Sequence, residues 1–247
     1  MTTKYFKNFA FVRYRFGDNE SPVLFNNITA YTDILDQLKD NVSLYNKYTI
    51  VAGERPDTLS YKLYGTTDFY WTFYLLNDHI RLSGWPVPDY ELLTTAQSKY
   101  PHRTIVTNTN FANIFPIGQV VTGQQSNTSG AVVAKRPDFG QITIETTNNF
   151  TVGENIQYRD NDGNFQSVTV VADTFQYNAI HHYEDADGVY QDLTLFDFNN
   201  PSSLWTPVTF RDRLEERNEE LKEIIVLREG VVTQVASEFN SLHKQRF

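Results

Sequence analysis

The sequence contains no cysteine, and only one of its 247 residues is methionine. Without cysteine the chain can form neither disulfides nor thiolate metal sites, and it has no cysteine nucleophile. No window approaches the roughly 18 uninterrupted apolar residues that a membrane-spanning helix needs. The first ten residues also lack the apolar region and the cleavage site of a secretion signal. We therefore expect neither a membrane span nor a secretion signal.

Positive charge is scarce as well, with 21 lysines and arginines against 30 aspartates and glutamates and a formal net charge of −9 at pH 7. The sequence pI is about 5.0. An acidic chain lacks the basic surface that binds a nucleic-acid backbone, and anionic membrane surfaces repel it. We therefore expect neither a nucleic acid nor a membrane as a partner.

Signatures of catalysis and of metal or cofactor binding are missing too. The chain has no Gly-x-x-x-x-Gly-Lys motif, no nucleophile elbow and no His-Glu-x-x-His motif. Adjacent His181 and His182 would point to opposite faces of a strand and could not chelate one metal together. Residues 160–164 begin like a calcium loop, but Val171 stands at the twelfth position, where an acid is needed, so a β-turn explains them better. We expect a protein that is not an enzyme and has no catalytic residue, metal or cofactor.

Aromatic residues are abundant, with 15 tyrosines, 18 phenylalanines and 3 tryptophans. Tyrosine joins an apolar ring to a polar tip and is enriched at protein interfaces. This composition fits a protein that partners partly bury, and it fits an ordinary β-rich core equally well.

The most informative stretch runs from residue 47 to residue 100. Its first β-branched run, residues 49–51, is typical of a strand, and residues 53–56 contain turn formers. The apolar spacing that follows predicts a short helix, which Gly65 is placed to end in a left-handed conformation. A second helix is predicted over residues 69–77, and because it is apolar on nearly every side it must be buried.

This stretch resembles a LysM domain and, more closely, the LysM-like segment of a baseplate wedge subunit of contractile-tailed bacteriophages. A third predicted helix, from Asp89 to Tyr100, resembles the helix that follows this segment in the family. Residues 217–225 and the helix after them look like the C-terminus of the same subunit. The motifs of the central stretch that carry the resemblance are residues 53–59, 63–65, 70–71 and 75–77, followed by Trp85-Pro86 and Lys99-Tyr100.

Residues 104–177 differ in composition from the rest of the chain and are not part of the resemblance. They are rich in Gly, Thr, Asn and Val, with short β-branched runs at a spacing typical of small barrels or sandwiches. The pattern Phe-x-Ile/Val-Gly-Gln/Glu-x-Val/Ile occurs at residues 115–121 and again at 150–156, and we expect both glycines to occupy the same kind of strand-entry turn. Two copies favour a pseudo-symmetric barrel.

The two ends of the chain carry further elements. Residues 9–16 predict a strand that pairs with residues 23–25 in a hairpin or adds to the sheet edge of a neighbouring molecule. Towards the C-terminus, a hairpin turn at residues 185–188 precedes a charged helix over 211–223 and a buried strand over 224–227, and a terminal amphipathic helix follows.

These elements predict an α+β fold: a LysM-like strand-helix-helix core, N- and C-terminal α/β arms, and an inserted small antiparallel β-barrel module. The expected divisions are an N-terminal arm (1–46), the LysM-like domain (47–103), the inserted β-barrel module (104–177) and a C-terminal hairpin and helical docking region (178–247).

The resemblance implies a structural subunit of a virion tail baseplate, assembled in the host cytoplasm. Such a subunit joins other baseplate wedge proteins and bridges neighbouring wedges into a ring around the central hub, which is a further candidate partner. The residues expected at the protein interface are Tyr70, Trp71, Tyr74 and Trp85. Those expected to dock the C-terminal region are Leu214, Leu221, Ile225 and Phe239.

The alternative is a LysM protein that binds peptidoglycan, as part of a cell-wall hydrolase or a host-attachment apparatus. LysM domains bind N-acetylglucosamine polymers through the loops after the first strand and after the second helix. The matching residues are Gly53, Glu54, Arg55, Asn77 and Asp78. Because the loop after the second helix continues into residues 81–88 without a second strand, protein docking is the favoured interpretation.

Overall fold

The structure is a computed structural model that describes residues 11–17, 21–26, 42–193 and 202–245. It combines helices with antiparallel sheets, which confirms the α+β class. The chain forms two compact units. The first contains the described residues up to Asp89 and from Asn218 onwards, and the second is Tyr90–Arg217.

The strands and helices are numbered in chain order within the described residues. The first unit contains β1 (Phe11–Tyr14), β2 (Val23–Asn26), β3 (Tyr45–Thr49), α1 (Pro56–Tyr64), α2 (Trp71–Leu76), α3 (Asp78–Ser83), β14 (Glu223–Leu227) and α6 (Glu229–Gln245). The second contains β4 (Arg103–Val106), β5 (Val120–Gly123), β6 (Ser129–Arg136), β7 (Gln141–Ile144), β8 (Asn155–Arg159), β9 (Phe165–Thr169), β10 (Ala172–Phe175), β11 (Ile180–Glu184), β12 (Tyr190–Gln191) and β13 (Thr206–Thr209). The chain passes between the units through α4 (Asp89–Lys99) and α5 (Phe210–Lys222).

The core of the first unit is built on a two-stranded antiparallel sheet of β3 and β14, in which Tyr48 lies opposite Ile224. Helices α1 to α3 lie between these strands in the sequence, and α6 follows β14 directly. Apolar side chains form two clusters, one around Phe73, Leu59 and Val226 and the other around Trp71 and Val232. The strand predicted over residues 224–227 is thus confirmed, and it is the partner of β3.

The first two helices differ in how well the sequence predicts them. Helix α1 ends at Gly65, whose φ of +68° is the expected left-handed cap, with its N–H donating to the Tyr61 carbonyl at 2.9 Å. The helix predicted over residues 69–77 is shorter, because a 3-10 turn, Thr67–Phe69, precedes α2. There the Phe69 N–H donates to the Ser60 hydroxyl at 3.2 Å, so the chain is tied to α1 before α2 begins.

Seven strands of the second unit pair antiparallel in one sheet, in the order β10-β4-β7-β6-β5-β8-β9. The predicted closed barrel is therefore not observed, since ladder pairing in the described chain ends at β9 on one side and β10 on the other. Only Val170 and Val171 separate these two strands. Their N–H groups diverge, with Val170 donating to the Glu154 carbonyl and Val171 to the Val106 carbonyl, each at 2.8 Å. One continuous stretch thus supplies both edges of the sheet without pairing with itself.

The repeated motif of this unit adopts the same turn twice, as predicted. Gly118 and Gly153 have φ values of +87° and +91°. Each glycine N–H donates at 2.8 Å to a backbone carbonyl, that of Val132 in β6 in the first copy and that of Val170, just after β9, in the second. The preceding phenylalanine of each copy is buried. A left-handed glycine therefore opens β5 and β8 in the same way.

Two aspartate-led hairpin turns also have matching geometry. In the β8–β9 turn the Asp160 carboxylate accepts the N–H of Asn164 at 2.8 Å, and in the β11–β12 turn the Asp185 carboxylate accepts the N–H of Val189 at 3.0 Å. These backbone hydrogen bonds lower the pKa of Asp185, while the Gln166 amide is the largest cause of the lowered pKa of Asp160. The prediction of a turn over residues 160–164 is confirmed.

Candidate docking surfaces

The turn after β3 is fixed from within the first unit. Gly53, at φ +80°, allows the Glu54 N–H to donate to the Val51 carbonyl at 2.9 Å. The Trp85 indole N–H donates to the Glu54 carbonyl at 2.7 Å. The carboxylate of Glu54 accepts the Tyr48 hydroxyl at 2.9 Å. Two of the residues proposed for glycan binding, Gly53 and Glu54, therefore have a structural role that accounts for them.

The two basic residues near this turn, Lys62 and Arg55, each form an ionic contact. The Lys62 ammonium donates to the Tyr48 hydroxyl at 2.7 Å and to Glu54 at 3.1 Å. These contacts raise the pKa of Lys62, while burial raises that of Tyr48. Arg55 is exposed and forms a 3.2 Å ion pair with Asp57 in the first turn of α1.

Asn77 is buried and its amide is fully engaged. Its Nδ2 donates to the carbonyls of Phe73 and Ile225, both at 2.8 Å, and its Oδ1 accepts the Ile225 N–H at 2.8 Å. The side chain thus pairs with the outer edge of β14 as a neighbouring strand would. Asp78 begins α3 and pairs with Arg81 at 2.9 Å. The loop predicted after the second helix, residues 77–80, is therefore a helix start, and sequence reasoning missed the structural role of Asn77.

A second asparagine side chain, that of Asn218, also hydrogen-bonds both the N–H and the carbonyl of one distant residue. Asn218 is buried, and its amide donates to the Val87 carbonyl at 3.0 Å while accepting the Val87 N–H at 2.7 Å. Val87 lies between Pro86 and Pro88, where the chain has no regular structure. No local pattern could have revealed this contact, because 131 positions separate the two residues.

The four aromatic residues expected at an interface divide into two groups. Trp71 is buried, packed with Leu75 and Val235 in one of the two core clusters. Tyr70, Tyr74 and Trp85 are only partly buried. The Trp85 ring packs at a tilt against Tyr74, with 5.8 Å between ring centroids. The structure thus places Trp71 in the core and leaves three neighbouring rings partly accessible.

The C-terminal residues expected to dock occupy three elements. Leu214 and Leu221 are half-buried on α5, and Leu221 packs on the cluster around Phe73. Ile225, in β14, packs on the cluster around Trp71. Phe239 lies in α6, but its side chain is outside the described part of the structure.

The N-terminal hairpin is the most apolar exposed element among the described residues. Strands β1 and β2 pair antiparallel, with Val12 opposite Phe25 and Tyr14 opposite Val23. The hairpin predicted from residues 9–16 and 23–25 is confirmed within residues 11–14 and 23–26. All the described side chains of both strands are exposed.

The neighbouring histidines contradict the expectation that they point apart. A register shift in β11, between Ile180 and His182, brings the Nδ1 atoms of His181 and His182 to 2.9 Å. The Nε2 atom of His182 donates to a Glu184 carboxylate oxygen at 2.7 Å. The alternation rule fails here because a β-bulge interrupts it. Across the described ranges, no group of three or more His, Cys, Asp or Glu residues is arranged to hold a metal ion.

Residues 5–110 match the family described as base plate wedge protein 53. The match covers the hairpin, β3 and helices α1 to α4, and it supports a phage baseplate wedge subunit, as the motifs of the central stretch predicted. No curated protein matches the chain.

The base plate wedge protein 53 family is one of structural baseplate proteins. The match therefore supports a structural role within the virion tail and contacts with other baseplate proteins. No helix in the described ranges combines the length and apolar character needed to cross a membrane.

Proposed function

We propose that the chain joins a wedge of other baseplate proteins and bridges adjacent wedges, so that the wedges close into a ring around the central hub of a contractile tail. The observation that carries the proposal is the family match over residues 5–110. A contact between unlike surfaces, repeated by rotation, generates a closed ring. Assembly would take place in the host cytoplasm, before the tail is complete.

The proposed bridging element is a LysM-like core made of β3, α1, α2 and β14. Its support is the strand-helix-helix-strand order around a two-stranded antiparallel sheet, with β14 supplying the second strand. Within it, Tyr70, Tyr74 and Trp85 are the proposed contacts, because partly exposed aromatic rings dominate many protein interfaces. Trp71 belongs to the core cluster on which Tyr70 packs, whereas Tyr74 and Trp85 pack on the cluster around Phe73.

The proposed bridging can be tested by co-expressing the other wedge proteins of the same phage with variants of this chain. Tyr70→Ala and Tyr74→Ala each remove one of these partly exposed rings from the first unit, and Phe165→Ala is a matched change in the second unit. We expect the first two variants to enter wedges but to reduce ring closure, seen by electron microscopy. Normal rings with correctly folded Tyr74→Ala protein would contradict the proposal.

Peptidoglycan binding is disfavoured by the burial of Asn77, whose amide has no free donor or acceptor directed to solvent. A sedimentation assay with purified peptidoglycan separates the two functions. We expect the full chain to remain in the supernatant. Sedimentation that N-acetylglucosamine oligomers reverse would instead favour a glycan-binding protein.

A further inference from the structure

The hairpin of β1 and β2 has two chemically different faces. Because side chains alternate along a strand, Val12, Tyr14 and Phe16 share one face with Val23 and Phe25 of the partner strand. Ring contacts place Phe16 with them, with centroids 5.2 Å from Tyr14 and 5.6 Å from Phe25. We call these five residues the aromatic face. The opposite face carries Phe11, Arg13 and Leu24.

The aromatic face is exposed and contains no charged residue. Its side chains range from 40 % exposed at Val12 to 67 % at Phe16. A contiguous apolar surface of this kind marks an interaction site, since burying it removes apolar area from water. An isolated two-stranded hairpin is also only marginally stable in water, and packing against another surface stabilises it.

Charge identifies the kind of surface that would cover this face. Arg13 and Arg15 are the charged residues among the described residues of the hairpin, while Asp18 and Glu20 stand in the segment that joins β1 to β2. Arg13 lies on the face opposite the aromatic one. Packing two aromatic faces from two copies together would bring two basic arms into proximity, which like-charge repulsion opposes. A partner with carboxylates around its apolar surface complements both properties.

We infer that the aromatic face docks into an apolar groove, bordered by aspartate and glutamate, on a different baseplate wedge protein. This inference rests on the proposed function and names the partner chemistry of the N-terminal arm. The apolar groove supplies the affinity, and the carboxylates at its border attract the positively charged Arg13 and Arg15.

Binding of the full chain to purified wedges that lack it tests the inference, with variants matched by face. Tyr14→Ser/Phe25→Ser alters the aromatic face, whereas Phe11→Ser/Leu24→Ser removes two large apolar side chains from the opposite face of the same strands. We expect the first pair to weaken binding about 100-fold and the second by less than about threefold. All four side chains are exposed, so unchanged unfolding midpoints show that folding is intact.

Two further measurements test the partner chemistry. Arg13→Glu/Arg15→Glu should weaken binding by about tenfold at low salt and reduce its dependence on salt. A photo-crosslinking phenylalanine analogue in place of Phe16 should react with an acid-flanked segment of another wedge protein, identified by mass spectrometry. Crosslinking to a second copy of this chain would overturn the inference. So would face-dependent binding to phosphatidylglycerol vesicles without an effect on wedge binding.

The outcomes also separate this inference from the proposed bridging. If the wild-type chain enters wedges and both face variants enter equally well, the inference about the hairpin is wrong while bridging stands. If the wild-type chain fails to bind wedges, the proposed function fails and the inference fails with it. If the aromatic-face variant alone is lost from single wedges, the inference holds whether or not rings close.

Discussion

At the scale of single residues, two asparagines hold the first unit together across long sequence separations. The Asn77 side chain hydrogen-bonds Ile225 in β14, 148 positions away, and the Asn218 side chain hydrogen-bonds the backbone of Val87. A primary amide can donate and accept at once, so each side chain satisfies both backbone groups of the residue it faces. Neither residue type nor local pattern predicts these roles.

Asn77→Ala should destabilise the protein by about 2–3 kcal/mol, because it leaves the N–H and carbonyl of Ile225 without these partners. Asn77→Asp should also destabilise, since a carboxylate cannot donate to the two carbonyls. Urea unfolding followed by circular dichroism measures the effect. Asn46→Ala, at an exposed position of β3, is the matched control and should change stability by less than about 0.5 kcal/mol. Equal stability of the Asn77 and Asn46 variants would contradict the assigned role.

Glu154 is a buried carboxylate in the second unit. Burial by itself raises its pKa, but the backbone N–H groups of Ser126, Gln125 and Thr151 outweigh burial, so the pKa is lowered. A carboxylate whose pKa is lower in the folded state than in the unfolded state stabilises the protein at pH values above its unfolded-state pKa. This stabilisation is lost as the pH falls through the folded-state pKa. The carboxylate therefore stabilises the protein at neutral pH.

We expect Glu154→Gln to cost about 1.5–3 kcal/mol at pH 7, because charged acceptors make the stronger hydrogen bonds. The loss should shrink as the pH falls below about 4, because the unfolded chain there begins to bind a proton at Glu154 that the folded chain does not yet bind. Unfolding at pH 7 and at pH 3 compares the two proteins. A constant difference between the proteins at both pH values would show that the charge of Glu154 does not contribute.

At the scale of elements, the bulge in β11 determines what the adjacent histidines can do. With His182 donating Nε2–H to Glu184, its Nδ1 accepts the Nδ1–H of His181 when both rings are neutral. Burial first, and then the electrostatic effect of neighbouring His182 and the positive charges of Arg136, Arg213 and Arg217, lower the pKa of His181 to about 4. The structure thus favours a neutral His181.

The stability of the protein should fall as the pH is lowered from about 6.5 to about 4. In this window the unfolded chain binds a proton at His181 that the folded chain does not. His181→Gln removes this proton uptake and should flatten the decline, whereas His79→Gln, at an exposed position of α3, should not. Thermal unfolding at half-unit pH steps measures both. A decline of unchanged steepness in His181→Gln protein would show that another group causes it.

At the scale of the whole molecule, the core of the first unit is assembled from distant parts of the chain. Strand β14 completes the sheet of β3, but it lies outside residues 5–110, the segment that matches the base plate wedge protein 53 family. The bonds from Val87 to Asn218 and from Asp89 to Lys222 hold the two ends of the intervening chain close together. The four-part division expected from the sequence stays a prediction.

Replacing residues 90–217 with about eight glycine and serine residues should leave the first unit folded, because a linker of that length spans the short gap. Residues 1–110 alone should not unfold cooperatively, since they lack β14 and leave the apolar residues around Phe73 uncovered. Circular dichroism during urea unfolding compares the two chains. Cooperative unfolding of residues 1–110 would show that β14 is dispensable.

Features of the fold that depend on residues close together in the chain were predictable from the sequence. The cap at Gly65, the turns led by Asp160 and Asp185, and the repeated glycine turns all follow from residues within a few positions of one another. The match of residues 5–110 to the base plate wedge protein 53 family also rests on such local strings. The same holds for the exposed hairpin, where a turn-rich segment separates two apolar runs.

The tertiary structure was needed to show which segments meet. It showed that β14 lies beside β3 and that Asn77 and Trp71 are buried. It also showed that the strands for which the repeated motif predicted a closed barrel form a sheet whose first and last strands do not pair. It also turned His181 towards His182 through the bulge. These outcomes depend on contacts between distant residues or on an interruption in strand pairing, and the free energy of such contacts is not encoded in the local spacing of residues.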